Sequence, residues 1–119
     1  MASMLRHLRR LLRHLGHLFG GVGGVGGDSA VLVVSVVAGV SNQATWTFSR
    51  NFAAGPVDQT DIAALTVNAE APAILHTVGA NTLLVEYIGD PAAGTWVSGP
   101  INATFVGGGN VEVDTGTVT

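Results

Sequence analysis

The chain of 119 residues contains neither cysteine nor lysine. Without cysteine the protein forms no disulfide and offers no thiolate metal site, so its core must hold by packing alone. Aromatic residues make up only 6% of the chain, so a core of ordinary size needs most of them. The apolar run over residues 30–40 is shorter than the roughly 20 residues of a membrane-spanning helix. A chain of this length has room for one small domain with an appendage.

Charge is distributed unevenly along the chain, although the formal net charge is only -3. Residues 1–27 contain four arginines and no acidic residue, whereas residues 28–119 contain Arg50 against eight acidic residues. The two parts therefore carry formal charges of +4 and -7. We expect the first part to be attracted to acidic surfaces, including the second part.

The first 19 residues have the periodicity of an amphipathic helix, because apolar residues recur every three or four positions and basic residues fill the opposite face. The apolar face comprises Met4, Leu5, Leu8, Leu11, Leu12, Leu15, Leu18 and Phe19, and the basic face comprises Arg6, Arg9, Arg10, Arg13, His7, His14 and His17. Ser3 is the expected N-cap, and Gly20 and Gly21 are expected to end the helix. We predict a helical arm over residues 1–19.

A glycine-rich segment, GGVGGVGG, follows the arm at residues 20–27. Its composition predicts a flexible linker. Gly21, Gly23 and Gly26 match the spacing of a dinucleotide-binding loop, but that loop lies between a strand and a following helix. Here the predicted order is reversed, so we do not expect a phosphate-binding site.

From Asp28 onwards the hydrophobic period changes to two, which predicts β-strands. We expect strands over residues 29–40, 44–49, 62–68, 73–78, 82–88, 95–97 and 101–105, and a closing strand that ends with Val111 and Val113. The first strand is apolar on both faces, which indicates burial on both sides or insertion against a neighbouring subunit. About seven or eight short strands at regular spacing predict a small antiparallel β-sandwich over residues 28–119.

Three strand sequences, ATWTFSR at 44–50, TLLVEY at 82–87 and TWVSG at 95–99, resemble those of short immunoglobulin-like β-sandwich modules. Such modules occur in bacterial surface proteins and in the virions of tailed phages. The resemblance implies an immunoglobulin-like sandwich that serves as a decoration, adhesion or spacer unit. It implies a structural or binding role without catalysis.

Candidate reactive side chains are few, and none matches a catalytic pattern. His14 and His17 have the spacing of metal ligands, but arginines surround them and the arm has no carboxylate. Asp58 and Asp61 supply too few oxygens for calcium without further ligands, and Ser98 lacks a nucleophile-elbow sequence. Trp46, Tyr87 and Trp96 are expected in the core, the alternative being an exposed ligand-binding face. We therefore expect no enzymatic activity, no metal, no cofactor and no small-molecule substrate.

The arm is the candidate functional element, because the free energy from burying its apolar face nearly cancels the entropy cost of ordering it. It is therefore expected to be stable only when docked. We predict an assembly interface formed by Leu5, Leu8, Leu11, Leu12, Leu15, Leu18 and Phe19, with electrostatic contacts from Arg6, Arg9, Arg10 and Arg13. Nucleic acid is disfavoured as a partner, because it leaves the leucines unexplained.

These features predict a non-enzymatic structural subunit: a homo-oligomer, a component of a larger capsid-like assembly, or both. A virion decoration, minor capsid or fibre-type protein fits them best, which places the protein in the virion. One alternative is a peripheral membrane or cell-surface protein whose helix lies on lipid. The other is a surface-filament subunit that donates residues 30–40 as a strand to its neighbour.

Overall fold

The computed structural model describes residues 30–53, 55 and 57–119, and in this part every regular element is a β-strand. The predicted arm and linker lie outside the described residues. The strands are β1 (Ala30–Val31), β2 (Val33–Ala38), β3 (Gln43–Phe48), β4 (Thr66–Val67), β5 (Ile74–Val78), β6 (Thr82–Glu86), β7 (Thr95–Ser98), β8 (Asn110–Val111) and β9 (Asp114–Thr117). The prediction of a mainly β protein with antiparallel sheets is confirmed.

The larger sheet has four antiparallel strands in the order β2-β3-β6-β5. Its inner face carries Val36, Trp46 and Leu83, all of which are buried. Thr45 and Thr47 alternate with Trp46 on β3, as expected for a strand with one face in the core and one in solvent. On β6, Thr82, Leu84 and Glu86 alternate with the buried Leu83 and Val85.

The smaller sheet has three antiparallel strands in the order β4-β7-β9. A parallel pair, β1 with β8, lies outside these sheets. Thr119 extends the direction of β9 and bonds to the edge of β2, where its N–H donates to the Val36 carbonyl at 3.0 Å and its carbonyl accepts from Ala38 at 3.1 Å. The last residues therefore link the two sheets and cover part of the β2 edge.

One hydrophobic core lies between the two sheets, which gives the described residues a sandwich-like arrangement. Trp46 of β3 meets Trp96 of β7 edge to face, with ring centroids 5.7 Å apart. Towards one end of the core, Phe52 and Phe105 stack with centroids 5.0 Å apart, and Phe48 meets both rings edge-on. Aromatic contacts thus join residues from both sheets.

Two tight turns place non-glycine residues in the left-handed region. Ser41 and Asn42 connect β2 to β3 with φ values of 55° and 60°, and Asn68 and Ala69 follow β4 with φ values of 51° and 64°. Two consecutive positive φ angles are the signature of a type I′ turn, whose twist matches that of paired strands. Residues 67–70 therefore form a tight turn, closed by the bridge between Val67 and Glu70.

The predicted strand over residues 62–68 is wrong for most of its length, because only Thr66–Val67 is extended. Residues 59–64 form turns instead. Asp58 accepts hydrogen bonds from the N–H groups of Thr60 and Asp61, while Asp61 accepts one from the N–H of Asp58. This reciprocal arrangement has the pattern of a capping box, which favours helical turns over extended chain.

Burial of residues 30–40 on both faces is also wrong. Val31, Val33 and Val36 are buried, whereas Val34, Val37 and Val40 are exposed by 51%, 45% and 78%. The strand divides into β1 and β2, and a bulge shifts the register between Val33 and Ser35. Both pieces pair within their own chain, and β2 lies at the edge of its sheet.

The last two predicted strands also differ from the structure. Phe105 forms only an isolated bridge with Phe52. At the start of the predicted strand, the Asn110 side chain bonds both the N–H and the carbonyl of Ile101, which a partner strand would otherwise use. The closing strand is β9, which starts after Val113, and Val113 itself is 68% exposed.

Candidate functional site

The residues that the sequence singles out for assembly all lie outside the described part of the chain. These are the leucines and Phe19 of the apolar face and the four arginines of the basic face. Their roles stay predictions. The described residues show which surfaces such an arm has available.

The aromatic candidates belong to the core, so the sequence expectation is confirmed for all three. Trp46 and Trp96 are 0% exposed and Tyr87 is 2% exposed. Trp46 Nε1 donates to the Tyr87 hydroxyl at 3.0 Å, and this hydroxyl donates to the Leu65 carbonyl at 2.6 Å. Burial raises the pKa of Tyr87, so the hydroxyl keeps its proton and remains a donor. The sandwich therefore offers none of these rings as an exposed ligand-binding face.

Asp58 and Asp61 organise the turn that they flank. Asp58 Oδ1 accepts hydrogen bonds from the N–H and the hydroxyl of Thr60. Both bonds lower the pKa of Asp58, and the hydroxyl has the larger effect. Asp61 Oδ2 accepts from the Asp58 N–H at 2.8 Å, and Asp61 Oδ1 accepts from the Asn102 amide at 2.9 Å. These oxygens are engaged within the protein, and across the described residues no three His, Asp or Glu side chains cluster as metal ligands.

His76 and Glu86 form an ion pair on the exposed side of the four-stranded sheet, with 2.8 Å between His76 Nε2 and Glu86 Oε1. About a third of each side chain is exposed. A shallow groove of about 460 Å³ separates β5 from the turn at 57–60, with Asp58 on one wall and His76 on the other. An acidic group therefore lies on each side of His76.

Arg50, the one arginine among the described residues, is held at the end of the sandwich where Ala30 enters. Its Nη1 donates to the carbonyls of Gly107 and Gly108 at 3.3 and 2.9 Å. Gly107, Gly108 and Gly109 have φ values of 87°, 82° and 82°, which glycine adopts without strain. Arg50 therefore helps to hold the turn at residues 107–109 in place.

The outer faces of the two sheets are both mainly polar. On the four-stranded sheet, Ser35 lies beside Thr47 and Thr82. On the four-stranded sheet, one row across the strands places Val37 beside Thr45, Leu84 and Thr77, and a second row places Gln43 beside Glu86 and Ile74. On the three-stranded sheet, the outer positions are Thr66, Thr95, Thr115 and Thr117, with Val97 as the one large apolar side chain. We call the first surface the valine face and the second the threonine face.

Large apolar residues exposed on the outer side of this sheet include Val34 at 51%, Val37 at 45% and Ile74 at 42%. Leu84 lies between their strands and is half-buried. The sequence missed this surface, because residues 30–40 read as buried on both sides. The sequence did contain one signal for this surface. On β6, Thr82, Leu84 and Glu86 alternate with the buried Leu83 and Val85, which places Leu84 on the outer side of the sheet.

No helix in the described residues is long and apolar enough to cross a membrane. The chain matches no protein-family model, no curated protein and no solved structure.

Proposed function

We propose that this protein is a non-enzymatic structural subunit of an assembly, anchored by residues 1–19 and displaying its β-domain. A virion decoration, minor capsid or fibre-type protein fits this role best. The observation that carries the proposal is the division of the chain into a leucine-rich segment with four arginines and a domain in which one arginine faces eight acidic residues. Such a segment needs a partner that covers leucine and neutralises arginine.

Strand order supports the immunoglobulin-like class that the sequence resembles. In constant-type immunoglobulin domains the strands form one sheet in the order ABED and another in the order CFG. Taking β2, β3, β4, β5, β6, β7 and β9 as A to G, the sheets β2-β3-β6-β5 and β4-β7-β9 have these orders. Modules of this class commonly serve as display or spacer units, which agrees with the proposed role.

The direction of the chain supports display as well. Ala30 begins β1, and β2 then runs to the turn at 39–42 at the opposite end of the sandwich. There the Asn42 side chain donates to the Ile88 carbonyl at 3.1 Å, and Val40 and Ile88 are 78% and 76% exposed. An arm attached before Ala30 would therefore anchor one end and leave these tips facing outwards.

The filament alternative is less well supported, because β1 and β2 already pair with β8 and β3 of their own chain. Donating residues 30–40 to a neighbour would require these pairings to open. The membrane alternative uses the same arm with a different partner. An anionic lipid surface can bury the leucines in its interface and attract the arginines to its headgroups. Flotation of the full chain with anionic vesicles separates it from protein assembly.

Deletion of residues 1–27 tests the proposal. We expect the full-length chain to form oligomers by multi-angle light scattering, and the deletion variant to have the mass of a monomer. Far-UV circular dichroism of both proteins checks that the β-domain stays folded. An unchanged mass for a folded deletion variant would contradict anchoring by the arm.

A further inference from the structure

The two edges of the four-stranded sheet differ in whether another segment covers them. At the β2 edge, the Thr119 N–H donates to the Val36 carbonyl and the Thr119 carbonyl accepts from the Ala38 N–H. In the part of the chain that the structure describes, the opposite edge strand, β5, pairs with β6 alone. An edge strand of this kind presents a row of backbone donors and acceptors to another extended chain.

The hairpin between β5 and β6 fixes which backbone groups of β5 face outwards. The Gly79 N–H donates to the Thr82 carbonyl at 2.8 Å, and Val78 is the register partner of Leu83. Because hydrogen-bonded and non-hydrogen-bonded pairs alternate along antiparallel strands, the N–H and carbonyl of Val78 point away from β6. These groups are oriented to bond to a strand added beside β5.

The core-facing side of β5 is open at the same edge. Val78 is the register partner of the buried Leu83 and therefore faces inwards, yet it is 42% exposed. Leu75 pairs with the buried Val85 and is itself only half-buried. Both line the groove of about 460 Å³ that separates β5 from the turn at 57–60, and Val57 lines it as well. An added strand would therefore bury its inward side chains against apolar residues.

Charge around this groove is negative. Asp58 lies on the wall opposite β5, and hydrogen bonds from the Thr60 hydroxyl and N–H lower its pKa, so this carboxylate is charged at neutral pH. His76 on the other wall pairs with Glu86 at 2.8 Å, which offsets the charge of the imidazole whenever it is protonated. Residues 28–119 as a whole carry a formal charge of -7. The groove is therefore electrostatically suited to a segment with a basic side chain.

We propose that the β5 edge and its groove bind an extended peptide segment of a partner protein as a fifth strand of the sheet. The backbone of the segment bonds to β5, its apolar side chains at alternate positions fill the groove over Val57 and Leu75, and a lysine or arginine lies beside Asp58. Strand addition of this kind combines main-chain hydrogen bonds with pockets for alternate side chains. The site lies within the β-domain, so it is independent of anchoring by residues 1–27.

Fluorescence anisotropy of a labelled peptide, titrated with the full-length chain, tests the site. The probe is a nonapeptide in which threonine alternates with valine and one valine is replaced by arginine. The control peptide has the same sequence with N-methyl groups on its central residues, which removes the backbone donors and keeps every side chain. We expect the probe to bind at protein concentrations on the order of 0.1 mM. The affinity for the control should be at least about tenfold lower, because the main-chain bonds are lost.

Two variants of the full-length chain locate the site. Val78→Lys points a charge inwards on the edge strand, which is a device that prevents edge pairing in natural sheets. Val37→Lys is the matched control, because Val37 lies on the opposite edge strand and is 45% exposed against 42% for Val78. We expect the affinity for the probe to fall at least about tenfold in the first variant and to stay within about twofold in the second.

Both peptides are also titrated with the unaltered protein, so a folding defect in Val78→Lys does not decide the result. No binding of the probe, equal affinity for the two peptides, or equal affinity of the two variants would overturn the site. Replacing the arginine of the probe with glutamate should weaken binding, and an unchanged affinity would overturn the contact with Asp58. Failure of the deletion experiment would remove the anchoring proposal and leave these results unaffected.

Discussion

At the scale of single residues, Tyr87 connects the two sheets through its hydroxyl. Its hydroxyl accepts from Trp46 Nε1 on β3 and donates to the Leu65 carbonyl, just before β4. The two bonds therefore connect the four-stranded sheet to the chain that enters the three-stranded sheet. The sequence was sufficient to place Tyr87 and both tryptophans in the core, because a core of ordinary size needs most of the few aromatic residues in the chain. It does not reveal the hydrogen bonds, since these join residues 41 and 22 positions apart.

Removing the Tyr87 hydroxyl should lower the free energy of unfolding, although the change deletes a single oxygen atom. Tyr87→Phe leaves a buried indole N–H and a buried carbonyl without their partner, and we expect a loss of about 2 kcal/mol in the free energy of unfolding. Urea denaturation followed by tryptophan fluorescence measures it. A loss below about 0.5 kcal/mol would show that water or rearrangement replaces the bonds.

At the scale of elements, strands were predicted correctly where apolar and polar residues alternate regularly. The strand prediction was wrong where side chains bond to the local backbone. β3 was predictable, because Ala44, Trp46 and Phe48 alternate with threonine and lie buried on one face. β9 was missed because its buried positions are Asp114 and Gly116, which carry no hydrophobic signal. Turns at residues 59–64 replaced the first part of the strand predicted over residues 62–68, because Asp58 and Asp61 accept from N–H groups at the start of these turns and hold the chain out of the extended conformation.

The first of these turns gives a pH-dependent prediction. The Thr60 hydroxyl lowers the pKa of Asp58, so the stabilising effect is present above the unfolded-state pKa near 4 and is lost as the pH falls through the lower folded-state pKa. Thr60→Val removes the hydroxyl and should raise the pKa of Asp58 towards its ordinary value. Thr60→Ser keeps the hydroxyl and should leave the pKa low. Carboxyl NMR titration measures both, and an identical pKa in the valine variant would contradict the assignment.

At the scale of the whole molecule, formal charge divides the chain into residues 1–27 at +4 and residues 28–119 at -7. The sequence predicts a cationic leucine-rich arm and a mainly β domain, and the described residues belong to the second of these. The valine face was not predictable, because it depends on β2 lying at a sheet edge and on a bulge that turns Val34 and Val37 away from the core. Edge position follows from the pairing of all strands and has no local signature.

The central claim is that the leucine face of the arm drives assembly, and the mass of matched arm variants tests it most directly. Leu8→Gln, Leu12→Gln and Leu15→Gln are combined in one full-length chain, and His7→Gln with His14→Gln in a control that keeps the leucines. We expect multi-angle light scattering to give a monomer mass for the leucine variant and the oligomer mass of the unaltered chain for the control. An unaltered oligomer mass in the leucine variant would contradict the account.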